Sequence, residues 1–333
     1  MFVLAALFLS GCSLQRWQPS QATPVDEHMS HMNASDMKLP SLGGNRSYQG
    51  VASLPPSNNA AEARIKASPR HAEWVKIAWE PGSRDSIMAW VVYPQVRTKA
   101  PVVVVVHEIF GLATWVRGVA DQVAADGFIA IAPDFISRVR GGPSTQELTG
   151  DSARKLIGGV SAADKNAVIV AAANYAMQLP AAEQRYAVIG YCWGGTATFN
   201  HAIHGGVKGF SGGVAFYGLP YTSQGTPATA TTAAVPGAPI ADSLARIKVP
   251  VMLLSGSKDA RITAAFPVLD SIMKALKKDY AGTNYEGAVH GFLRAQDDPK
   301  ATRDPAEEAA NLAATRDGWP RTIAFLKKNL GVK

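Results

Sequence analysis

The chain has 333 residues, of which 47% are hydrophobic and 18% are charged, so it can bury an extensive core. Its 33 Lys and Arg residues against 26 Asp and Glu give a formal net charge of +7. No run of Lys or Arg exceeds two residues, which argues against a nucleic-acid partner. Length alone would permit two domains, and the order of the elements favours one large domain.

The chain begins with an apolar run at residues 1–9, followed by Ser10, Gly11 and Cys12. The run is too short to span a bilayer and is typical of the core of a secretory signal. Residues 9–12 resemble the bacterial lipobox, in which the cysteine is lipidated. We therefore predict a signal peptide at 1–12 and a chain anchored on the periplasmic side of a bacterial membrane through lipid on Cys12 alone. No Lys or Arg precedes the run, and an ordinary cleaved signal or an N-terminal anchor remains the alternative.

Two stretches carry no sustained hydrophobic period. Residues 13–70 are rich in Ser, Asn, Gln, Pro and Ala, which predicts a flexible tether before a domain at 71–333. Residues 222–240 form an Ala, Thr, Pro and Gly insertion. That loop is either a mobile flap beside the active site or a solvated connection without function.

The remaining sequence predicts strands that alternate with helices. The predicted strands are at about residues 74–79, 86–93, 101–106, 128–132, 186–190, 212–216, 250–254 and 282–286, and the predicted helices are near 115–126, 161–178, 195–204, 264–278 and 318–329. Such alternation predicts an α/β fold with a mostly parallel sheet covered on both faces. The first two strands, linked at residues 81–83, are expected to form a hairpin at its edge.

Residues 190–194 read G-x-C-x-G between a predicted strand and a predicted helix. This strand, sharp turn and helix displays the nucleophile in α/β-hydrolases. The glycines are needed because a Cβ at position 190 or 194 would collide with the neighbouring strand or helix. Gly-rich strand ends also arise from tight packing or phosphate binding, so the other candidate site residues must decide between these interpretations.

The companions lie at later strand ends. Asp259 follows the strand at 250–254 and His290 follows the next one, which gives the order nucleophile, acid, histidine that this fold uses. Singly, such an Asp is often a helix N-cap and a lone His is often structural, but together they predict a Cys192, His290 and Asp259 triad. The backbone N–H groups of Ile109 and Trp193 are the predicted oxyanion hole.

The four motifs together resemble the dienelactone hydrolase (carboxymethylenebutenolidase) family. They stand at residues 107–111, 190–195, 256–259 and 290–294, and the resemblance covers about residues 74–330. It implies the α/β-hydrolase fold, the Cys-His-Asp triad, and a Glu108 that contacts the resting thiol and is displaced by an anionic substrate. It also implies that Arg294 holds the substrate carboxylate and that Tyr217 matches a tyrosine of the family site. The alternative for Glu108 is a structural carboxylate bonded to backbone amides.

The family's second carboxylate-binding arginine has no clear counterpart in this chain. The candidates by position are Arg138, Arg140 and Arg154. The exact substrate therefore stays open at this point.

The predicted function is hydrolysis of a lactone or ester, dienelactone-like and carboxylate-bearing, through a thioester on Cys192. His290 removes the thiol proton, and Asp259 orients and steadies the imidazolium. Neither a metal nor an organic cofactor is required. The alternatives are an esterase or thioesterase acting on another acyl substrate and a catalytically inactive surface binding lipoprotein. With Cys12 lipidated, Cys192 has no cysteine left to pair with, and we expect an accessible thiol open to peroxide and alkylating agents.

Overall fold

The computed structural model describes residues 51–79, 82, 84–144, 150–220, 238–296 and 305–332. The predicted signal peptide, Cys12 and residues 222–237 of the insertion lie outside these ranges. The strands are β1 (Ala72–Ala78), β2 (Ser86–Val92), β3 (Ala100–Val106), β4 (Ile129–Pro133), β5 (Ala182–Tyr191), β6 (Phe210–Phe216), β7 (Val251–Gly256) and β8 (Tyr280–Tyr285). The helices are α1 (Ala61–Ala67), α2 (Thr114–Ala125), α3 (Ser137–Arg140), α4 (Gly150–Ile157), α5 (Ala162–Met177), α6 (Trp193–His204), α7 (Ala241–Ala245), α8 (Ala260–Ala275), α9 (Phe292–Ala295) and α10 (Pro305–Leu330).

The strands form one sheet in the order β1-β2-β4-β3-β5-β6-β7-β8. The β1–β2 and β2–β4 pairs are antiparallel and the other five pairs are parallel. The predicted α/β fold and its edge hairpin are therefore confirmed. Every residue of β3 and β4 is buried, as expected of central parallel strands covered on both faces.

The strand register decides which loops meet at the carboxyl edge of the sheet. Val106 at the end of β3 pairs with Gly190 in β5, which places the loop after β3 beside the turn at Cys192. Gly256 at the end of β7 pairs with Tyr285 at the end of β8. The loops that carry Asp259 and His290 consequently leave the sheet side by side.

The last helix is longer than predicted. The predicted helix begins at 318, whereas α10 begins at Pro305 and runs through Gly318 and Pro320. Tertiary packing overrides the local preference: Trp319 is buried and its Nε1 donates to Asp126 at 3.0 Å. The helices α1, α3, α4, α7 and α9, none longer than eight residues, were not predicted.

The last part of the segment predicted as a tether is ordered on the domain. Residues 51–60, here called the N-terminal arm, lie on the folded domain, and α1 follows directly. Trp115 Nε1 donates to Pro56 O at 3.0 Å, and Gln296 Nε2 donates to Pro55 O at 2.7 Å. Proline-rich composition suggested an unfolded segment, but the prolines expose carbonyls that the domain's side chains satisfy. Among the described residues, no helix is long and apolar enough to cross a membrane.

Candidate active site

Cys192 occupies a strained turn between β5 and α6, with φ 56° and ψ −117°. A Cβ on Gly190 would lie 2.0 Å from the Gly194 carbonyl oxygen, and a Cβ on Gly194 would lie 2.5 Å from that of Val106. The steric reason predicted for the two glycines is thus confirmed. The Cys192 N–H donates to Phe216 O on β6 at 2.9 Å, which anchors the turn to the sheet.

Asp259 has two partners, one for each carboxylate oxygen. Its Oδ2 lies 2.5 Å from Nδ1 of His290, and its Oδ1 accepts the Ile262 N–H at 3.2 Å as the N-cap of α8. Asp259 is therefore both the N-cap of α8 and the hydrogen-bond partner of the His290 ring. The Lys258 N–H donates to Ala288 O at 2.9 Å, which ties the Asp259 loop to the His290 loop.

The electrostatics of the His290 ring favour the imidazolium. Burial lowers the pKa of His290, but the negative charges of Cys192 and Asp259 and hydrogen bonds to both outweigh it and raise that pKa to about 10. Burial also acts to raise the pKa of Asp259, and the charge of His290 reverses this, so the carboxyl pKa is lowered. The three predicted triad residues are therefore brought together, with His290 between a carboxylate and a sulfur.

Ile109 and Trp193 are both buried where the loop after β3 meets the start of α6. Within the described ranges, neither backbone N–H donates to a protein acceptor. Trp193 is the first residue of α6, and the first N–H groups of a helix have no partner within it. Trp193 directly follows Cys192, and the pairing of Val106 with Gly190 brings the loop of Ile109 to the same turn.

Glu108 and Arg294 form a buried ion pair next to the triad. Arg294 Nε lies 3.0 Å from Glu108 Oε2, and the side chains are 10% and 4% exposed. The Arg294 guanidinium also lies over the Phe110 ring, 5.6 Å from its centroid. The Glu108 carboxylate is thus paired with the guanidinium of Arg294, the residue expected to bind substrate. It is not held only by backbone amides.

Tyr217 completes this cluster. Its backbone has φ 41°, and its ring centroid lies 5.0 Å from that of His290. Burial raises the pKa of the Tyr217 phenol well above its usual value, and the negative charge of Glu108 adds to this, whereas Arg294 opposes it. The phenol therefore stays protonated and can donate a hydrogen bond.

Two expectations are not met. Cys192 is 1% exposed, so the thiol is buried rather than accessible. Two of the three arginine candidates by position, Arg138 and Arg140, have partners outside the cluster. Arg138 pairs with Asp85 at 2.8 Å and stacks on Trp79 at 4.5 Å, and Arg140 Nη1 donates to Pro143 O at 2.7 Å.

Several residues that hold the site were missed by sequence reasoning. The buried Asn311 on α10 accepts the Val289 N–H at 3.0 Å, directly before His290. The Asn58 N–H of the N-terminal arm donates to Arg294 O at 3.0 Å. These contacts join segments far apart in the chain and leave no local sequence signal.

A cysteine on a strand-to-helix turn, with an aspartate-bound histidine at neighbouring strand ends, defines the class of α/β-hydrolases. The model of the dienelactone hydrolase family matches residues 87–330, and the chain belongs to that family. It is accordingly a hydrolase of lactone or ester bonds. Among the described residues, no group of three His, Cys, Asp or Glu side chains could hold a metal ion.

Two relatives named for lactone-ring hydrolysis are similar to this chain. A Bradyrhizobium protein assigned as a 2-oxo-3-(5-oxofuran-2-ylidene)propanoate lactonase is 28% identical over 264 residues, covering 78% of this chain and 94% of the relative. A Synechocystis protein assigned as a carboxymethylenebutenolidase is 29% identical, covering 75% of this chain and 95% of the relative.

Solved structures share the fold. A crystal structure from Klebsiella pneumoniae, assigned as a dienelactone hydrolase, superposes with a TM-score of 0.58 at 22% identity, covering 78% of this chain and 99% of that one. The dienelactone hydrolase-like promiscuous phosphotriesterase P91 from metagenomic libraries gives a TM-score of 0.57 at 19% identity, covering 78% and 98%.

Proposed function

We propose that this chain hydrolyses a carboxylate-bearing lactone or ester through a thioester on Cys192. The observation that carries the proposal is the 2.5 Å contact of His290 with Asp259, on a ring whose pKa is raised by Cys192. An imidazolium held between a carboxylate and a thiolate is the resting form of an activated cysteine nucleophile.

Acylation begins with the Cys192 thiolate attacking the carbonyl carbon of the substrate. The carbonyl π electrons move to oxygen, and the N–H groups of Ile109 and Trp193 hold the oxyanion, each worth roughly 3 kcal/mol. The tetrahedral intermediate collapses, the bond to the leaving oxygen breaks, and His290 gives its proton to that oxygen.

Deacylation uses the same groups in the opposite sense. Neutral His290 takes a proton from water while the water oxygen attacks the thioester carbon, and the thiolate leaves. Asp259 keeps the Nδ1 proton on the ring in both steps, so Nε2 is the atom that exchanges protons.

The Glu108–Arg294 pair supports the choice of an anionic substrate. A buried guanidinium needs a counter-charge, and a substrate carboxylate could replace that of Glu108 on Arg294. Glu108 would then move away, and one negative charge would leave the neighbourhood of the thiolate. The Bradyrhizobium relative is named for a propanoate that contains a lactone ring, which is a substrate of this description.

The test is a panel that varies only the carboxylate. p-Nitrophenyl hydrogen adipate and its methyl ester share one scissile bond, and dienelactone serves as the ring substrate. We expect the acid to be preferred, and Cys192→Ala to abolish activity on all three. Full activity of Cys192→Ala would refute the assignment.

Arg294→Ala should raise KM for the acid by more than it raises KM for the methyl ester. Arg138→Ala is the matched control, because Arg138 lies near the same sheet edge but pairs with Asp85. Equal losses on acid and methyl ester in Arg294→Ala would remove Arg294 from carboxylate binding.

A second part of the proposal concerns location. The apolar run and lipobox-like residues before Cys12 support lipidation and a periplasmic membrane anchor. In bacteria fed an alkyne fatty acid, the protein should carry label and sediment with membranes, and Cys12→Ala should do neither. Labelling of Cys12→Ala would contradict the anchor and leave the hydrolase assignment untouched.

A further inference from the structure

His107 lies between the two residues that supply the predicted oxyanion N–H groups. Its ring is fully buried and stacks on the Trp193 indole, with centroids 5.8 Å apart and planes 10° apart. Phe135 packs edge-on against both rings at 5.1 Å. The ring is therefore held in one orientation by aromatic contacts on two sides.

The hydrogen bonds of this ring fix its tautomer. The Phe135 N–H donates to Nε2 at 3.1 Å, so Nε2 carries the lone pair. The proton must then be on Nδ1, which donates to Glu108 O at 2.6 Å. Burial lowers the pKa of His107, in agreement with a neutral ring.

The Glu108 carbonyl and the Ile109 N–H belong to the same peptide unit. That unit is planar and trans, because the described residues contain no cis peptide bond, so its C=O and N–H point in opposite directions. A hydrogen bond that fixes the direction of the carbonyl therefore fixes the direction of the N–H as well.

We infer that His107 is a positioning residue of the oxyanion hole, aiming the Ile109 N–H through the Glu108 carbonyl while its ring supports Trp193. The inference rests on the proposed function, since it needs an oxyanion at Cys192. It also explains how the Glu108 side chain can leave Arg294 without disturbing the oxyanion hole, because the Glu108 backbone is held separately from its carboxylate.

Three substitutions separate hydrogen bonding from packing. His107→Asn places an amide N–H near the position of Nδ1, His107→Gln places its amide near Nε2, and His107→Phe keeps only a stacked ring. We expect kcat to fall about 10- to 100-fold in the Phe and Gln variants, less than the 10²–10³ caused by removing a donor. The Asn variant should recover most of the loss, and KM should change little in all three.

Inhibition by a reversible aldehyde is a measurement that would not change if His107 acted only through packing. Adipate semialdehyde forms a thiohemiacetal when the Cys192 sulfur bonds to its carbonyl carbon and the π electrons move to oxygen, which accepts the His290 proton or is held as oxyanion. Hexanoate has the carboxylate but no carbonyl to attack. Inhibition by the semialdehyde should weaken in His107→Phe by the same factor as kcat, and inhibition by hexanoate should not change.

Equal losses in the Asn and Phe variants, or unchanged semialdehyde inhibition in His107→Phe, would overturn the role of His107. Full activity of Cys192→Ala would instead overturn the proposed function, so the two failures are distinguishable. A variant that fails to fold is recognised by a loss of hexanoate binding. The comparison of the Asn variant with the parent protein then decides whether His107 has the proposed role.

Discussion

At the scale of single residues, the Asp259 carboxylate combines a structural task with the chemical task proposed for it. One carboxylate oxygen caps α8 and the other holds the His290 ring. The cap is a backbone requirement that Asn can also satisfy, whereas only a carboxylate can stabilise an adjacent imidazolium. Substitutions at this position can therefore separate the two tasks.

We expect Asp259→Asn to lower kcat by about 10³- to 10⁴-fold, because its amide cannot stabilise the imidazolium. The free energy of unfolding should change little through the cap. Asp259→Ala should lose activity equally and lose about 1 kcal/mol more stability, because Ala does not cap. Rates and urea unfolding of both variants are the measurements, and equal stability of the two would argue against the capping role.

The protonation of His290 depends on Cys192. The Cys192 side chain is a principal cause of the raised pKa of His290, which is about 10 in the intact site. We expect the ring to remain protonated at neutral pH in the parent protein and to titrate at a lower pH in Cys192→Ala. Nitrogen NMR of labelled histidine measures both, with Cys192→Ser as the matched control of similar volume. A ring that titrates identically in all three proteins would show that the sulfur does not act on it.

At the scale of elements, the N-terminal arm is the unexpected part of the site. The Pro55 carbonyl accepts a hydrogen bond from Gln296, and the Asn58 N–H donates one to the Arg294 carbonyl. Both hydrogen bonds hold the arm against the short helix α9, which carries Arg294, the residue predicted to bind the substrate carboxylate. Segments that composition marks as linkers become ordered when their carbonyls and N–H groups find partners on a folded domain.

Deleting residues 51–60 should raise KM for the acid substrate and lower the melting temperature by several degrees, as expected for a loss of about 1–2 kcal/mol. The reason is that α9 loses two backbone anchors. Deletion of residues 41–50 is the matched control, since it shortens the chain equally and leaves the arm in place. Unchanged kinetics on deletion of 51–60 would show that the arm does not position Arg294.

At the scale of the whole molecule, buried neutral histidines should set the acid limit of stability. Burial lowers the pKa of His201 to about 3, and a nearby His204 adds to this, while Tyr186 and Asn166 bond the two ring nitrogens at 2.8 and 2.7 Å. An unfolded histidine takes up its proton near pH 6.5. The contribution of neutral His201 to the free energy of unfolding is therefore fully present above about pH 6.5 and is lost as the pH falls below that value.

Each such ring should contribute a slope of about 1.4 kcal/mol per pH unit below pH 6.5. We expect the free energy of unfolding in urea to fall steeply between about pH 6.5 and pH 5. His201→Gln, whose amide does not titrate, should reduce the slope by one proton. An unchanged slope in that variant would exclude His201 as a source of the acid sensitivity.

Local sequence predicted all eight strands, the elbow glycines and the order of Cys192, Asp259 and His290. These features follow from hydrophobic period, backbone sterics and the limited number of ways in which a parallel sheet presents loops at one edge. The long helix α10 and the folded arm could not be predicted in this way. Both depend on partners distant in the chain, such as Asp126 for Trp319 and Gln296 for Pro55.

The sequence by itself determined the fold, the family motifs and the identity of the candidate nucleophile, because each is written in a short run of residues. Only the tertiary structure decided that Glu108 neutralises Arg294, that His107 bonds the Glu108 carbonyl, and that the thiol is buried. The physical reason is that charge pairing, ring stacking and burial are set by distances between segments, and the chain fixes those distances only when the sheet brings its loops together.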